Sequence, residues 1–440
     1  MYIDNNENIV ATDTLPVEKN SVLPKLIIVF LAVAASFFED VLGAYLPYLF
    51  VAVMFFGFFF DRMLPVCVYI PKIVFNTQLG MMQYPVLAIL LISCFVAYLE
   101  CENKTKNNKW TQMFFVCFFV AVSVYFGYES NAVTGLITLV SIFSFYCFSD
   151  IFKNKNAKLV EFSLFVSGIV MTVFVLRQIS SGRASYLWGT RLTFEESVRT
   201  LANAVAFSIF YAFCKLAVIK NEKSTLSSKI FYLAVFASGA YVLIMTYSRG
   251  VLLSVGAACA LSVLFTLKKI SVKHIIGLFA VIIFAIFWIA SMDINTSLLG
   301  HNATTGNGRI QLWTYFIKDM FGEGIIRTVF GYGPGEFTRV SHDTPFTGFY
   351  AHSLYVDALF SFGFLGFIYL MSMVLKVVKC SFSTKDAYII GLTALTFLMY
   401  ASHGISSSYQ FYLMFGLCFA LAMSKQKIPE TETDGEIKNE

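Results

Sequence analysis

Three arginines and a histidine stand where the chain passes from apolar to polar sequence: Arg191 in YLWGTRLTF, Arg249 in YSRGVLL, Arg309 in GNGRIQLW and His352 in YAHSLYVD. A guanidinium presents a planar fork of donors that fits phosphate or carboxylate oxygens two at a time, and it is less strongly hydrated than an ammonium. Arginine in such places therefore favours anion binding, where lysine would only mark an edge. Asn307 and Gly308 are suited to cap a helix, which puts Arg309 in its first turn beside free backbone amides and the positive end of the helix dipole. Cation and helix N-terminus together make an anion site. A histidine where a span begins could act as a general base, with a pKa near neutrality and a ring that a neighbour can orient.

Each residue has a plainer reading beside this one. A single arginine more often snorkels or pairs with a carboxylate such as Glu195, Asp319, Glu323 or Asp343, and a lone histidine is more often structural. Asp357 lies five positions after His352, a poor match for one helical face, so no His/Asp pair is read from the spacing. FGYGPGEF, at 330–337, lacks a following Gly-Lys-Ser/Thr and reads as a tight turn rather than a phosphate loop. The nine cysteines are scattered through or beside apolar segments with no CxxC and no Cys/His cluster, so neither a zinc site nor a disulfide framework is implied.

The elements that must position these residues are membrane helices. The chain of 440 residues is 58% hydrophobic and only 13% charged, about half the charge of a soluble globule, so it reads as an all-α polytopic integral membrane protein. Apolar runs lie at roughly 22–38, 43–60, 84–99, 111–127, 131–149, 159–179, 198–219, 228–247, 251–267, 273–291, 352–376, 386–402 and 405–423, each able to cross a core of about 30 Å as a helix. Between Leu64 and Met82 an apolar stretch broken by Pro65, Pro71, Lys72 and Asn76 is either a poor span or a re-entrant piece. The expected division is a cytoplasmic tail at 1–21, a transmembrane bundle at 22–291, an outer loop at 292–351, further spans at 352–423 and a second cytoplasmic tail at 424–440. The N-terminal tail has neither a basic region nor a cleavage site, and the first span reads as retained. Both tails inside require an even number of crossings, 14 or else 12.

Lysine and arginine alternate along this topology. Lysines cluster around 104–109, 153–158, 215–229, 268–273 and 376–385, on every second connection, which the positive-inside rule makes cytoplasmic. The intervening connections hold Arg177, Arg183, Arg191 and Arg199, then Arg249, then Arg309, Arg327 and Arg339, with Lys318 the only lysine in that last loop. That rule predicts few cations outside, so the outer arginines call for an anion. In the long outer loop, RIQLWTYFIKDMF places Ile310, Trp313, Phe316, Ile317, Met320 and Phe321 at helical spacing, predicting a helix along the membrane surface with its aromatic face toward the headgroups.

Taken together, SRG at a membrane edge, GR followed by an aromatic helix and a GxGxG turn, and AHS entering a span that continues FGFLG resemble the O-antigen polymerase and ligase superfamily in order and spacing. The resemblance covers about the C-terminal half. It implies an all-helical, C-type-like membrane glycosyltransferase of the bacterial inner membrane, metal-independent, with no cofactor and a periplasmic active site. Its donor would be a glycan joined through pyrophosphate to undecaprenol, with membrane lipids around it and a chain-length regulator as a candidate partner; nucleic acid has no part. By the same resemblance Arg249 and Arg309 would hold the pyrophosphate and His352 would activate the acceptor, with Arg191 a further candidate for pyrophosphate or sugar. Many members have asparagine after the histidine, where this chain has Ser353.

Polymerase and ligase share these parts and differ in acceptor. Divergent motifs and an aromatic-rich outer loop, with Tyr315, Tyr332 and Tyr350 available to stack on sugars, favour the polymerase. A polysaccharide flippase is the alternative of another class. It would predict ionisable residues deep within spans, whereas the charges here collect at the outer edge.

Overall fold

The structure is a computed structural model that describes residues 22–38, 44–75, 80–99, 155–187, 191–193, 198–219, 225–267, 309–334, 351, 353–402 and 409–426, with isolated positions between 117 and 142. The expected spans at 111–127, 131–149 and 273–291 lie wholly or almost wholly outside the described residues, and so does His352.

The described chain is helical apart from one small hairpin. In order it forms α1 (Val22–Phe37), α2 (Leu46–Phe60), α3 (Leu64–Val74), a 3-10 turn at Gly80–Met82, α4 (Gln83–Leu99), α5 (Lys155–Ser180), strands β1 (Ser185–Leu187) and β2 (Arg191–Thr193), then α6 (Val198–Ala217), α7 (Leu226–Met245) and α8 (Arg249–Thr266). After residue 308 come α9 (Arg309–Gly322), α10 (Ile325–Phe330), α11 (Leu354–Ser383), α12 (Ala387–Ser402) and α13 (Tyr409–Gln426). Among the described residues, four helices are long and apolar enough to cross a membrane, at Ala157–Ser180, Leu226–Met245, Arg249–Thr266 and Leu354–Ser383, and six shorter apolar helices accompany them. An all-α polytopic membrane protein is therefore observed.

The stretch after Leu64 is resolved in favour of a partial span. At 11 residues α3 is about 16 Å long, half of what a crossing needs. Val66, Cys67, Val68 and Ile70 are all buried, because α3 is enclosed by α1, α2 and α5 instead of facing lipid.

Helix α6 lies at the centre, against α5, α7, α8 and α12, and α8 pairs along its length with α12. Lipid tails are as apolar as leucine, so such contacts depend on close backbone approach. A Cβ at Gly168 of α5 would come within 2.8 Å of the Ala204 carbonyl of α6, and Gly391 of α12 meets Ser262 and Ala258 of α8.

These contacts assign each helix end. Tyr388, at the start of α12, donates its hydroxyl to Glu161 near the start of α5 at 2.6 Å and stacks on Phe210 in the last part of α6. Lys158, Lys215 and Lys229 sit in the terminal turns of their helices at this end, Lys376 lies two turns before the end of α11 with Lys385 just after it, and Lys425 pairs there with Asp386. Helix α1 runs parallel to α5, with Lys25 over Phe162 and Phe37 against Phe174. Glu161 is thus an ionisable group within a span that the edge-only reading of charge overlooked. It lies on the lysine side, about 9 Å from the first residue of α5.

At the opposite end are the last turn of α5 with Arg177, the β1–β2 hairpin, the first turns of α6 and α8, and the C-terminus of α12. The hairpin pairs Ser185 with Thr193 and Leu187 with Arg191, and β2 packs against α6 and α7. Among the described residues, the lysines of the 153–158, 215–229 and 376–385 clusters thus lie at one end of the bundle and Arg177, Arg191 and Arg249 at the other, while Arg62 stands at the lysine end and Lys318 on α9.

Candidate active site at the arginine end

The turn that delivers Arg249 is tight. Helix α7 stops at Met245, Thr246 caps it with its hydroxyl on the Leu243 carbonyl, and Tyr247 takes φ 51°, a left-handed conformation that is rare for a bulky side chain. Ser248 is buried in a tight turn in which the Arg249 amide donates to the Tyr247 carbonyl at 3.0 Å, its own amide donates to the Thr246 hydroxyl, and Arg249 begins α8. The left-handed residue costs of order 1–3 kcal/mol and reverses the chain within three residues. Arg249 is half-buried at the boundary its sequence predicts.

Arg309 is likewise the first residue of α9, where the cap reading placed it, while Asn307 and Gly308 lie outside the described residues. One turn on, the Trp313 indole donates to the Ala351 carbonyl at 2.6 Å. Ala351 immediately precedes His352, so this bond ties the first turns of α9 to the backbone at the histidine. Ser353 on the other side is buried and caps α11 in an extended conformation. Replacing Trp313 with phenylalanine leaves a buried carbonyl without its donor, a loss of about 1–3 kcal/mol. Activity of Trp313→Phe is expected to fall about ten- to hundredfold with the protein still inserted, as measured by turnover per purified molecule.

Part of the face of α9 expected to meet headgroups is turned inward. Phe316 and Met320, with Leu312, form a small core with Tyr332, Ala351 and Phe360. The chain itself covers that part of the stripe, while Phe321 stays exposed. Tyr332 is corrected with it. Its ring is fully buried, stacked on Phe360 at 4.3 Å with the Arg327 guanidinium 5.1 Å from its centroid, so it presents no surface to a sugar. Burial, and then the carboxylates of Asp319 and Glu323, raise its hydroxyl pKa far above the ordinary phenol range. Tyr315 is partly exposed, as stacking would require; Tyr350 lies outside the described residues. Arg327 also approaches Glu323 at 4.0 Å and Arg177 lies over Phe37, so these two arginines have structural roles.

A feature that hydropathy did not disclose joins the loop to the bundle. The expected single span from 352 is broken at Gly363, which has φ 64° and ψ −168°. Two contacts show how sharply. Tyr355 donates to the Phe397 carbonyl at 3.3 Å, and Ser381 shares a hydrogen bond with Thr393 at 2.8 Å. In a straight helix residues 355 and 381 would be about 39 Å apart, while 393 and 397 are separated by about 6 Å. The first part of α11, 354–362, must therefore fold back beside α12. The break strands carbonyls at its end, and the glycine turn supplies them: the amides of Tyr332 and Gly333 donate to the Phe360 and Ser361 carbonyls at 3.0 and 2.9 Å. Gly331, at φ 79°, touches Gly363 directly, and a Cβ there would lie 2.5 Å from the Gly363 amide nitrogen. The GYGPG and FGFLG motifs are the two halves of one joint.

Because Tyr355 reaches α12 five residues before its end, the entry to α11 lies at the same end of the bundle as the start of α8. The structure thus gathers at one end Arg249, the N-terminus of α9, the hairpin position of Arg191 and the backbone on both sides of His352. Asp357 is buried in the first turn of α11, within electrostatic reach of Tyr412 on α13. Among the described residues no cluster of His, Cys, Asp and Glu could hold a metal ion.

Residues 233–371, about a third of the chain, match the family described as O-antigen ligase. Over that stretch the chain is similar to the O-antigen ligase family. The stretch extends from within α7 to α11 and takes in Arg249, Arg309, Trp313, His352 and Gly363; Arg191 lies before it. The match supports the O-antigen polymerase and ligase superfamily and a glycosyltransferase-like enzyme in the membrane. No curated protein matches the chain.

Proposed function

We propose that this chain is a surface-polysaccharide polymerase of the bacterial inner membrane, moving a glycan from undecaprenyl pyrophosphate onto a carrier-linked repeat unit at the periplasmic face. The observation that carries the reading is the convergence of Arg249 and the N-terminus of α9 at one end of the bundle, with the α9 helix tied by Trp313 to the residue before His352. Breaking the bond between the anomeric carbon and the pyrophosphate oxygen leaves the electron pair on the pyrophosphate. Fixed guanidinium groups and helix amides in a partly dehydrated site stabilise that charge. The acceptor hydroxyl forms the new bond to the anomeric carbon, and His352 takes its proton. Arg191 would bind the pyrophosphate or the adjoining sugar, and Tyr315 and Tyr350 are the remaining candidates to stack on sugars.

A ligase, transferring the same glycan to lipid A-core, is the second reading, favoured by the description of the matching family. Deleting the gene and running a lipopolysaccharide gel separates the two. The expected result is core bearing one repeat unit without a ladder. Bare core, with long polymer held on the lipid carrier, would instead establish the ligase, and an unchanged ladder would exclude both.

A further inference from the structure

With Phe316 and Met320 facing inward, Phe321 and two isoleucines stay exposed at the elbow between α9 and α10. Phe321, Ile325 and Ile326 are 54%, 79% and 49% exposed, around Gly324 at φ 99°. Three such side chains on six consecutive residues make a patch that water does not favour.

The height of this patch follows from the joint. The second part of α11, 364–383, is 20 residues and about 30 Å long, the thickness of the hydrocarbon core. Its first exposed residues, Phe364, Leu365 and Ile368, begin the lipid-facing band just below the break. Val329 and Gly331 sit directly against Gly363, so α10 starts from the outer limit of that core. Six residues of helix reach about 9 Å, which keeps Ile325 within the headgroup layer and its boundary with the acyl chains.

We infer that the α9–α10 elbow is a membrane anchor, with Phe321, Ile325 and Ile326 inserted among phospholipid acyl chains at the bilayer surface. The patch includes the start of α10, a helix that packs against α11. The polar residues of the elbow suit the same orientation: Glu323 is paired with Arg327, and Lys318 is exposed one turn back, where it can meet lipid phosphate. The anchor sets the depth of α9, and with it the level at which Arg309 stands relative to the bilayer.

Photo-crosslinking tests this without any transfer assay, so its outcome is independent of the polymerase reading. Benzoylphenylalanine is placed singly at positions 321, 325, 326 and, for comparison, 323 of the full-length chain in native membranes, and intact mass is read after irradiation. Phospholipid adducts at 325 and 326 are expected in about fivefold or greater excess over 323. Equal labelling at all four positions, or adducts to protein at 325 and 326, would overturn the anchor. A second measurement covers variants that fail to insert: a tryptophan at position 325 should lose fluorescence in nanodiscs of brominated-chain lipid relative to the same variant in unbrominated discs. No additional loss beyond that of the native tryptophans would equally overturn it.

Discussion

Gly363→Ala is expected to lower the thermal midpoint of the purified protein by the largest amount of any single methyl addition, and to abolish transfer. The conformation at φ 64° and ψ −168° is open essentially to glycine alone, and an added Cβ would strike the backbone of Val329 and lie 2.6 Å from the Gly331 amide nitrogen. Strain of order 1–3 kcal/mol and overpacking of about 1–3 kcal/mol combine to roughly 2–6 kcal/mol. That is a large part of the roughly 5–15 kcal/mol by which folded proteins are stable. Gly256→Ala is the control: nothing lies within 4 Å of its would-be Cβ in the middle of α8, and a gain of about 0.5–1 kcal/mol is expected. Thermal unfolding in detergent compares the two. Equal midpoints would show that the break at Gly363 does not bear on stability.

The second large effect concerns Arg249. If it holds the leaving pyrophosphate, Arg249→Ala should reduce turnover about 10²–10³-fold, the usual consequence of removing one fixed donor from a site of developing charge. Arg249→Lys keeps the charge but loses the two-pronged geometry, so most of the loss, about tenfold or more, should remain. Turnover of lipid-linked oligosaccharide by purified variants at matched expression measures both. Full activity in the lysine variant would remove the pyrophosphate role and return Arg249 to the boundary-marking function that any cation could fill.

Much of the framework was legible because hydropathy and charge report on it directly. Apolar runs located the described helices, and the alternation of lysine with arginine largely corresponds to the two ends of the bundle. The start of α8 was visible as the polar break at Arg249 between two apolar runs, and Arg309 stands in the first turn of α9, as the sequence predicts. What escaped depends on contacts between distant segments. Periodicity marks Phe316 and Met320 as apolar but not what covers them, so it cannot tell a face toward lipid from a face toward the chain itself. Tyr332 escaped in the same way, since an aromatic in a polar loop carries no sign that Phe360 will stack upon it. The break at Gly363 lies inside an unbroken hydrophobic run, where an average over residues is blind to one dihedral angle. Glu161 escaped because its partner, Tyr388, is 227 residues away.

The contact between Gly331 and Gly363 also bears on how such chains can diverge. Outer loops are where enzymes acting on different glycans would be expected to differ, and loops usually tolerate exchange. Here the loop contributes two amides and a glycine to the interior of a broken helix, so its last turn belongs to the bundle. A transplant of the outer loop from a relative should succeed when its boundaries fall between α8 and α9 on one side and beyond the 354–366 segment on the other. A graft ending before that segment would separate two surfaces that had been selected only together.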